Sequence, residues 1–372
     1  MSPPGRAKGE GNPVSEAFVY VSNAEDGAIG TYALHDDGRL DVGPRCEVAA
    51  MLGPLAVDAG KGRLFAASRA KPFSLHSLAI DPATGALTPR SQARAADSFP
   101  YLFVDATGRW LLAASYAGGV VSVNAIDDAG RLSDPTQVVP VGRNAHSIRA
   151  DRSNRFVFVP ALGTDQIFQF TFDATTGRLT SNTPAIVPVA PGTGPRHVVV
   201  SADNRFVYVV SEFLATVTTF ALDAATGLLT EVGSIVALSP ESTLVAGAAR
   251  GAPAAGGAPR DTSNDVWAAD LHLTPDGRFL YVSERTRSTL EALAVDPSTG
   301  ALAYLRSTPT ERQPRGFRID PTGRYLIAAG EKSPTITVYA IDAADGGLSV
   351  LGQYPGGRGA NWVEIVATRA SR

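Results

Sequence analysis

The chain has 372 residues, 44% of them hydrophobic and 19% charged, with a formal net charge of −3. This balance provides no basic footprint for nucleic acid and no general attraction for anions, so an anionic ligand has to be held by locally placed Arg or Lys. Cys46 is the only cysteine, which excludes an intrachain disulfide and fits a reducing compartment such as the cytoplasm.

In chain order, residues 1–15 are polar and rich in Pro and Gly, without the apolar core of a secretory signal. They are expected to form a flexible leader. No later window approaches 18 uncharged apolar residues, so neither a membrane span nor a membrane partner is expected. From Phe18 onward one unit repeats. A turn arginine followed by an aromatic or aliphatic run occurs at Arg63, Arg109, Arg155, Arg205, Arg278 and Arg324, at spacings of 46, 46, 50, 73 and 46 residues. The run F-V-Y-V-S beginning at Phe18 stands 46 residues before L-F-A-A-S at Leu64 and supplies a seventh unit.

A second marker gives the same count. Asp, a short polar turn with Gly, then Leu recurs with its leucine at Leu40, Leu87, Leu132, Leu179, Leu229, Leu302 and Leu348. Each marker lies between two β-rich runs and reads as a hairpin turn. Four strands per unit at a period in the forties is the pattern of a propeller blade. The expected fold is all-β: a single seven-bladed β-propeller domain over residues 16–369, closed by pairing of the N- and C-terminal strands, which removes free sheet edges. The long spacing of 73 exceeds the common 46 by an Ala/Gly/Pro-rich insertion. Its segment 245–264 is expected to be a mobile inter-blade loop, with a lid over the site as the sharper alternative.

Registering the units on the turn arginine exposes positions where the blades differ. Nine residues before it stand Pro54, Pro100, His146, Arg196, Ala269 and Arg315; the next position holds Leu55, Tyr101, Ser147, His197, Asp270 and Gly316. Seven residues after it stand Ala70, Tyr116, Leu162, Glu212, Arg285 and Glu331. All three positions fall at one end of the first two strands, where a propeller opens a funnel onto its axis. Ionisable residues of both signs in an otherwise apolar setting suit a ligand better than packing. Arg196, Arg285 and Arg315 form a candidate anion clamp. The alternative is a channel salt-bridge network with Glu212 and Glu331, and for His146 a hydrogen-bonded inner-strand histidine. The turn arginines recur in six of the seven units and read as structural, as do His35 and His76, which lie off these positions. His272 stands two residues beyond Asp270 and is open to either reading. The sequence contains no Walker loop, HExxH, G-x-S-x-G or compact metal spacing, so acid–base and electrostatic chemistry without metal or cofactor is expected.

Several of these segments resemble the propeller-type bacterial 6-phosphogluconolactonase (cycloisomerase 2/lactonase) family: N-A-H-S at 144–147, G-P-R-H at 194–197, V-S-E-F ending at Phe213, W-A-A-D-L-H at 267–272, Q-P-R-G-F at 313–317, G-E-K at 330–332 and N-W-V at 361–363. The resemblance implies hydrolysis of 6-phospho-D-glucono-1,5-lactone in the oxidative pentose phosphate pathway. Through the similar fungal carboxymuconate lactonizing enzymes, it also implies a catalytic set of His146, Glu212, Arg196 and Arg285. Around that set His197, Arg315, Asp270, His272, Lys332 and Tyr116 are expected to bind substrate, with Arg315 and Lys332 on the 6-phosphate. His146, at an ordinary imidazole pKa, would take the proton of the attacking water, and Glu212 would orient a histidine or act as base itself. The chain departs from its relatives in the long insertion and at Glu331, where they often carry Gln. A small-molecule phosphosugar lactone, no nucleic acid, and a monomer or weak homo-oligomer complete the expectation. A lactonase or cycloisomerase for another carboxylated or sugar lactone, or a non-catalytic binding platform, are the alternatives.

Overall fold

The computed structural model describes residues 17–249 and 261–368. The expected leader lies outside the described residues, as does the middle of the expected mobile loop.

The described strands form seven four-stranded antiparallel sheets. In six of them the strands follow chain order from channel to rim. The seventh is closed by the termini: Ala360–Ala367 pairs antiparallel with Ala17–Asn23, which continues to Ala28–Leu34 and Leu40–Glu47. The other innermost strands are Leu52–Asp58, Tyr101–Val104, Arg149–Ala150, Pro195–Val200, Ala268–Leu273 and Pro314–Ile319.

Burial follows position in the blade. Second strands such as Phe206–Ser211 and Tyr325–Gly330 are buried at every residue because a neighbouring blade covers each face. The outermost strand Leu132–Pro140 alternates, as a sheet edge half in water should. Among the described residues no helix is long and apolar enough to cross a membrane.

The two sequence markers meet between adjacent blades. Arg109, Arg155 and Arg278 donate to the carbonyls of Ala174, Ala225 and Ala343, each in the hairpin turn of the next blade. Arg324 closes the ring by donating to the Asp36 carbonyl at 3.0 Å. Arg155, Arg205, Arg278 and Arg324 also lie over the ring that follows each, as Arg155 does over Phe156 at 5.0 Å. That ring packs beneath the hairpin glycine of the next blade. At Gly227 φ is +72°, and a Cβ there would stand 2.0 Å from Phe156, so both conformation and space require glycine. The turn arginines therefore join blade to blade and are remote from the channel.

Candidate active site

The positions singled out above lie at the channel mouth where the innermost strands begin. A β-bulge brings neighbouring residues in together. The pairing of Pro195–Val200 with Phe206–Ser211 shifts register between Pro195 and His197. Strict alternation would send Arg196 and His197 to opposite faces; the extra residue lets both serve the channel. Similar shifts occur in the inner strands at Ala268/Leu271 and Pro314/Gly316.

Two connected networks result. In the first, the Glu212 carboxylate is a shared counterion. Its Oε2 accepts from Arg196 Nε at 2.6 Å and lies 3.1 Å from Arg285 Nη2; its Oε1 accepts from Trp267 Nε1 at 3.1 Å. Arg285 also donates to the carbonyls of Trp267 and Ala268, and its guanidinium stacks 3.8 Å from the Trp267 ring centroid. Burial alone would raise the Glu212 carboxyl; Arg285 and Arg196 outweigh it and hold it below the ordinary carboxylate value. Burial pulls Arg196 down to about 10 despite the support of Glu212, leaving it charged at neutral pH. The polar partners of the Glu212 carboxylate are Arg196, Arg285 and Trp267 and include no histidine, which differs from the expectation that it orients one.

The second network is a chain of imidazoles ending on Asp270. His197 Nδ1 lies 2.8 Å from Asp270 Oδ1, and His197 Nε2 lies 3.2 Å from His146 Nδ1 and 3.0 Å from Arg196 Nη1. Burial opposes ionisation of Asp270, yet His272 and His197 hold its carboxyl well below the usual range. An ionised Asp270 can only accept, so His197 carries its proton on Nδ1. Its bare Nε2 then accepts from the Arg196 guanidinium, which has no lone pair to offer. His146 Nδ1 faces that same bare nitrogen, whose one lone pair is shared with Arg196, at 3.2 Å and is assigned as a donor because two opposed lone pairs would repel. The ring is thereby fixed in the tautomer that leaves Nε2 unprotonated, an assignment that follows from the hydrogen-bond chain.

Burial, with Arg196 and His197 adding to it, holds His146 well below the ordinary imidazole value. Burial and Arg196 likewise push His197 down to about 3. This differs from the expected near-neutral pKa: desolvation and three nearby arginines all disfavour a second proton.

The remaining candidates are placed as follows. Tyr116 packs edge-to-face on His146 with centroids 5.8 Å apart. Arg315 lies 3.5 Å from Glu331 and keeps 16% of its side chain exposed, whereas the Arg196 and Arg285 side chains are 0% and 2% exposed. Arg315 is thus the cation of this set that a solute reaches most readily. Lys332 is exposed beside Glu331. His272 bonds Asp270 from the other side at 3.1 Å and lines a cavity farther down the channel, away from His146. Sequence reasoning did not single out Trp267, Tyr101 or Trp362 as site residues. Tyr101 and Trp362 pack on the His197 ring at 5.0 and 6.0 Å. The available signal for Trp267 was a large aromatic two residues before a variable inner-strand position.

The described ends of the insertion meet at this mouth. Val266 donates to the Val245 carbonyl and Gly247 to the Phe213 carbonyl, next to Glu212.

Such a mouth can hold a neutral base, stabilise negative charge and receive an anion. Residues 18–365 match the family described as "Lactonase, 7-bladed beta-propeller". The chain is 35% identical over 350 residues to a 6-phosphogluconolactonase of Serratia proteamaculans, covering 94% of this chain and 99% of the relative. It is 36% identical over 352 residues to a 6-phosphogluconolactonase of Pectobacterium carotovorum, covering 95% and 99%. Among solved structures it superposes on the periplasmic gluconolactonase of Pseudomonas aeruginosa with a TM-score of 0.81 at 27% identity, over 95% of this chain and 99% of that one.

Proposed function

The chain belongs to the seven-bladed β-propeller lactonase family, and on that premise we propose that it hydrolyses 6-phospho-D-glucono-1,5-lactone to 6-phosphogluconate at the mouth formed by His146, Glu212, Arg196 and Arg285. It is an enzyme of the 6-phosphogluconolactonase class, and the reaction is the second step of the oxidative pentose phosphate pathway. The observation that carries the site assignment is the Asp270–His197–His146 chain, which presents a deprotonated imidazole nitrogen beside clustered arginines.

In this reading His146 Nε2 removes a proton as the water oxygen bonds to the lactone carbonyl carbon. The carbonyl π electrons move to oxygen, and the arginine field stabilises that oxyanion. Collapse re-forms the carbonyl and breaks the bond to the ring oxygen, which takes the proton from His146. The resulting acid ionises to the carboxylate. Asp270 and His197 hold the tautomer, and Glu212 holds Arg196 and Arg285 in place. Arg315 is the residue positioned to meet the 6-phosphate, with Lys332 as an exposed second cation. The protein is further read as a cytoplasmic monomer or weak homo-oligomer.

A second reading drops the phosphate. Arg315 already has Glu331 as partner, and the P. aeruginosa neighbour is described as a periplasmic gluconolactonase. A coupled assay with freshly generated 6-phosphogluconolactone beside unphosphorylated gluconolactone decides between them. Preference for the phosphorylated substrate that disappears in Arg315→Gln supports the first reading. Equal rates on both substrates remove the phosphate clamp, and no rate above spontaneous hydrolysis on either overturns the activity.

A further inference from the structure

The channel has a second mouth, where the innermost strands end, and it holds charge that the chemistry above does not use. A cavity of about 440 Å³ opens there, lined by Arg149, Arg152 and Arg318, by His272, and by apolar groups including Leu273 and Ile319. That volume falls in the range of small-molecule sites.

Arg149 and Arg152 come from one blade and Arg318 from a blade across the channel, and each is held in place from behind. Arg149 lies over the Phe103 ring at 5.5 Å and reaches the Tyr101 hydroxyl at 3.4 Å. Arg152 donates to the Val200 carbonyl at 3.0 Å and the Ser201 carbonyl at 3.3 Å. Arg318 lies 3.4 Å from Glu364. Neither Arg149 nor Arg152 forms an ion pair among the described residues. Two acidic groups stand by: Glu364, whose Oε1 accepts from Trp362 Nε1 while its buried Oε2 faces Arg318 without a hydrogen bond, and Asp320, which lines the cavity and accepts from the Thr322 hydroxyl and the backbone of Thr322 and Tyr325. Burial lowers Arg152, and the like charges of Arg149 and Arg318 lower it further, as expected where Arg318 has Glu364 beside it but Arg149 and Arg152 have no ion-pair partner among the described residues. Clustering like charges in a half-buried cavity is unfavourable for folding alone, and an anion relieves it.

We propose that this cavity is a second anion-binding site, distinct from the catalytic mouth, that takes a small molecule bearing a phosphate or paired carboxylates between Arg149, Arg152 and Arg318. Asp270 and His197 stand between it and His146, so a ligand here does not contact the reacting atoms. The site stands whether or not the chain acts on a lactone.

The test uses inorganic phosphate as probe on the full chain, by isothermal titration, with wild type, Arg149→Gln/Arg152→Gln and Arg315→Gln compared. Because Arg149 and Arg152 have no acidic partner, their replacement strands no carboxylate. The double variant is expected to bind phosphate at this mouth at least about 10-fold more weakly, the equivalent of losing charge-assisted bonds. Its steady-state activity should be unchanged. In Arg315→Gln the site should persist. A tungstate soak of wild-type crystals, which needs no variant, should give an anomalous peak between Arg149, Arg152 and Arg318. Unaltered phosphate binding in the double variant overturns the proposal, as does tungstate found only near Arg315.

Discussion

Replacing Glu212 by Gln tests whether one carboxylate holds the arginine side of the site together. The substitution conserves shape but removes the charge shared by Arg196 and Arg285. The amide has one oxygen and one NH2. If the oxygen stays on the arginines, the NH2 faces Trp267 Nε1, donor against donor; the reverse orientation opposes two guanidinium donors instead. Either way a buried donor loses its partner and two buried cations lose their counterion. Breaking a buried pair in this manner costs about 3–5 kcal/mol. With an unfolding entropy of about 2.1 cal/mol/K per residue, a chain of 372 residues should melt about 4–6 °C lower, read by calorimetry at fixed scan rate and pH 7.

A double-mutant cycle sharpens the result. Arg196→Met alone leaves Glu212 paired with Arg285, whereas in E212Q/R196M only one cation is stranded. The combined variant should be less destabilised than the sum of the two by about 1–3 kcal/mol. A melting temperature for E212Q within about 1 °C of wild type, or strict additivity in the cycle, would falsify the shared-counterion account. Activity should follow the same charge. Glu212→Asp, which retains charge, should keep more kcat than E212Q, because in this account the carboxylate acts through the arginines.

Four further outcomes follow from the same geometry. Asp270→Asn replaces charge-assisted bonds to His197 and His272 with neutral ones, a loss of about 1–1.5 kcal/mol each; kcat should fall roughly 10-fold, and imidazole ¹⁵N shifts should show the His197 proton no longer confined to Nδ1, a readout that a purely packing role would not move. Because His146 is held well below the ordinary imidazole value, its base form persists into acid, so kcat, corrected for spontaneous hydrolysis, should stay flat as pH falls through 6.5; a midpoint at or above that value excludes the assignment. His197, pushed down to about 3, contributes stability that is present above its unfolded pKa of about 6.5 and lost as pH falls through the window between the two values, at about 1.4 kcal/mol per pH unit; denaturant titrations of His197→Gln should show a shallower acid slope. Arg205→Ala removes a donor to the Pro297 carbonyl of the next blade and a cation over the Phe206 ring of its own; it should lower stability by about 0.5–1.5 kcal/mol while kcat stays at wild type, whereas a loss of kcat would place that turn in the site.

The blade count and its closure were legible because both markers answer to backbone and packing demands that recur unchanged. A hairpin needs its αL glycine, and the ring beneath Gly227 leaves no room for another residue. The same regularity made variable positions such as Arg196, His197, Glu212 and Asp270 visible by contrast. Partner choice was not legible. Register counting assigns Glu212 and the histidines to one end of a hairpin, but it cannot show that Glu212 turns to Trp267 and the arginines while Asp270, a blade away, takes His197. The inner-strand bulge that lets Arg196 and His197 both serve the channel leaves no separate mark in the sequence. The lowered His146 pKa depends on burial and on charges from other blades, and none of these is local in sequence.

The division of labour within the blade explains why one channel can carry two charged mouths. Cohesion between blades is supplied at the turns, where arginine, aromatic ring and hairpin glycine interlock, and in the second strands, buried on both faces. Innermost strands are thereby relieved of most packing duty on their channel side. Alternation then distributes the consequences in layers. Asp270 and His272 stand two residues apart on one strand and face the same channel; His272 lines the far cavity, and the Asp270 carboxylate bonds it on one side and His197 on the other. Asp270 is therefore hydrogen-bonded in both layers. Its ionised state fixes the histidine tautomer on the catalytic side and anchors His272 on the other. Substitution of Asp270 should therefore disturb both mouths, whereas Arg149→Gln/Arg152→Gln should disturb only the far one. That contrast tests the layered arrangement independently of which lactone the enzyme opens.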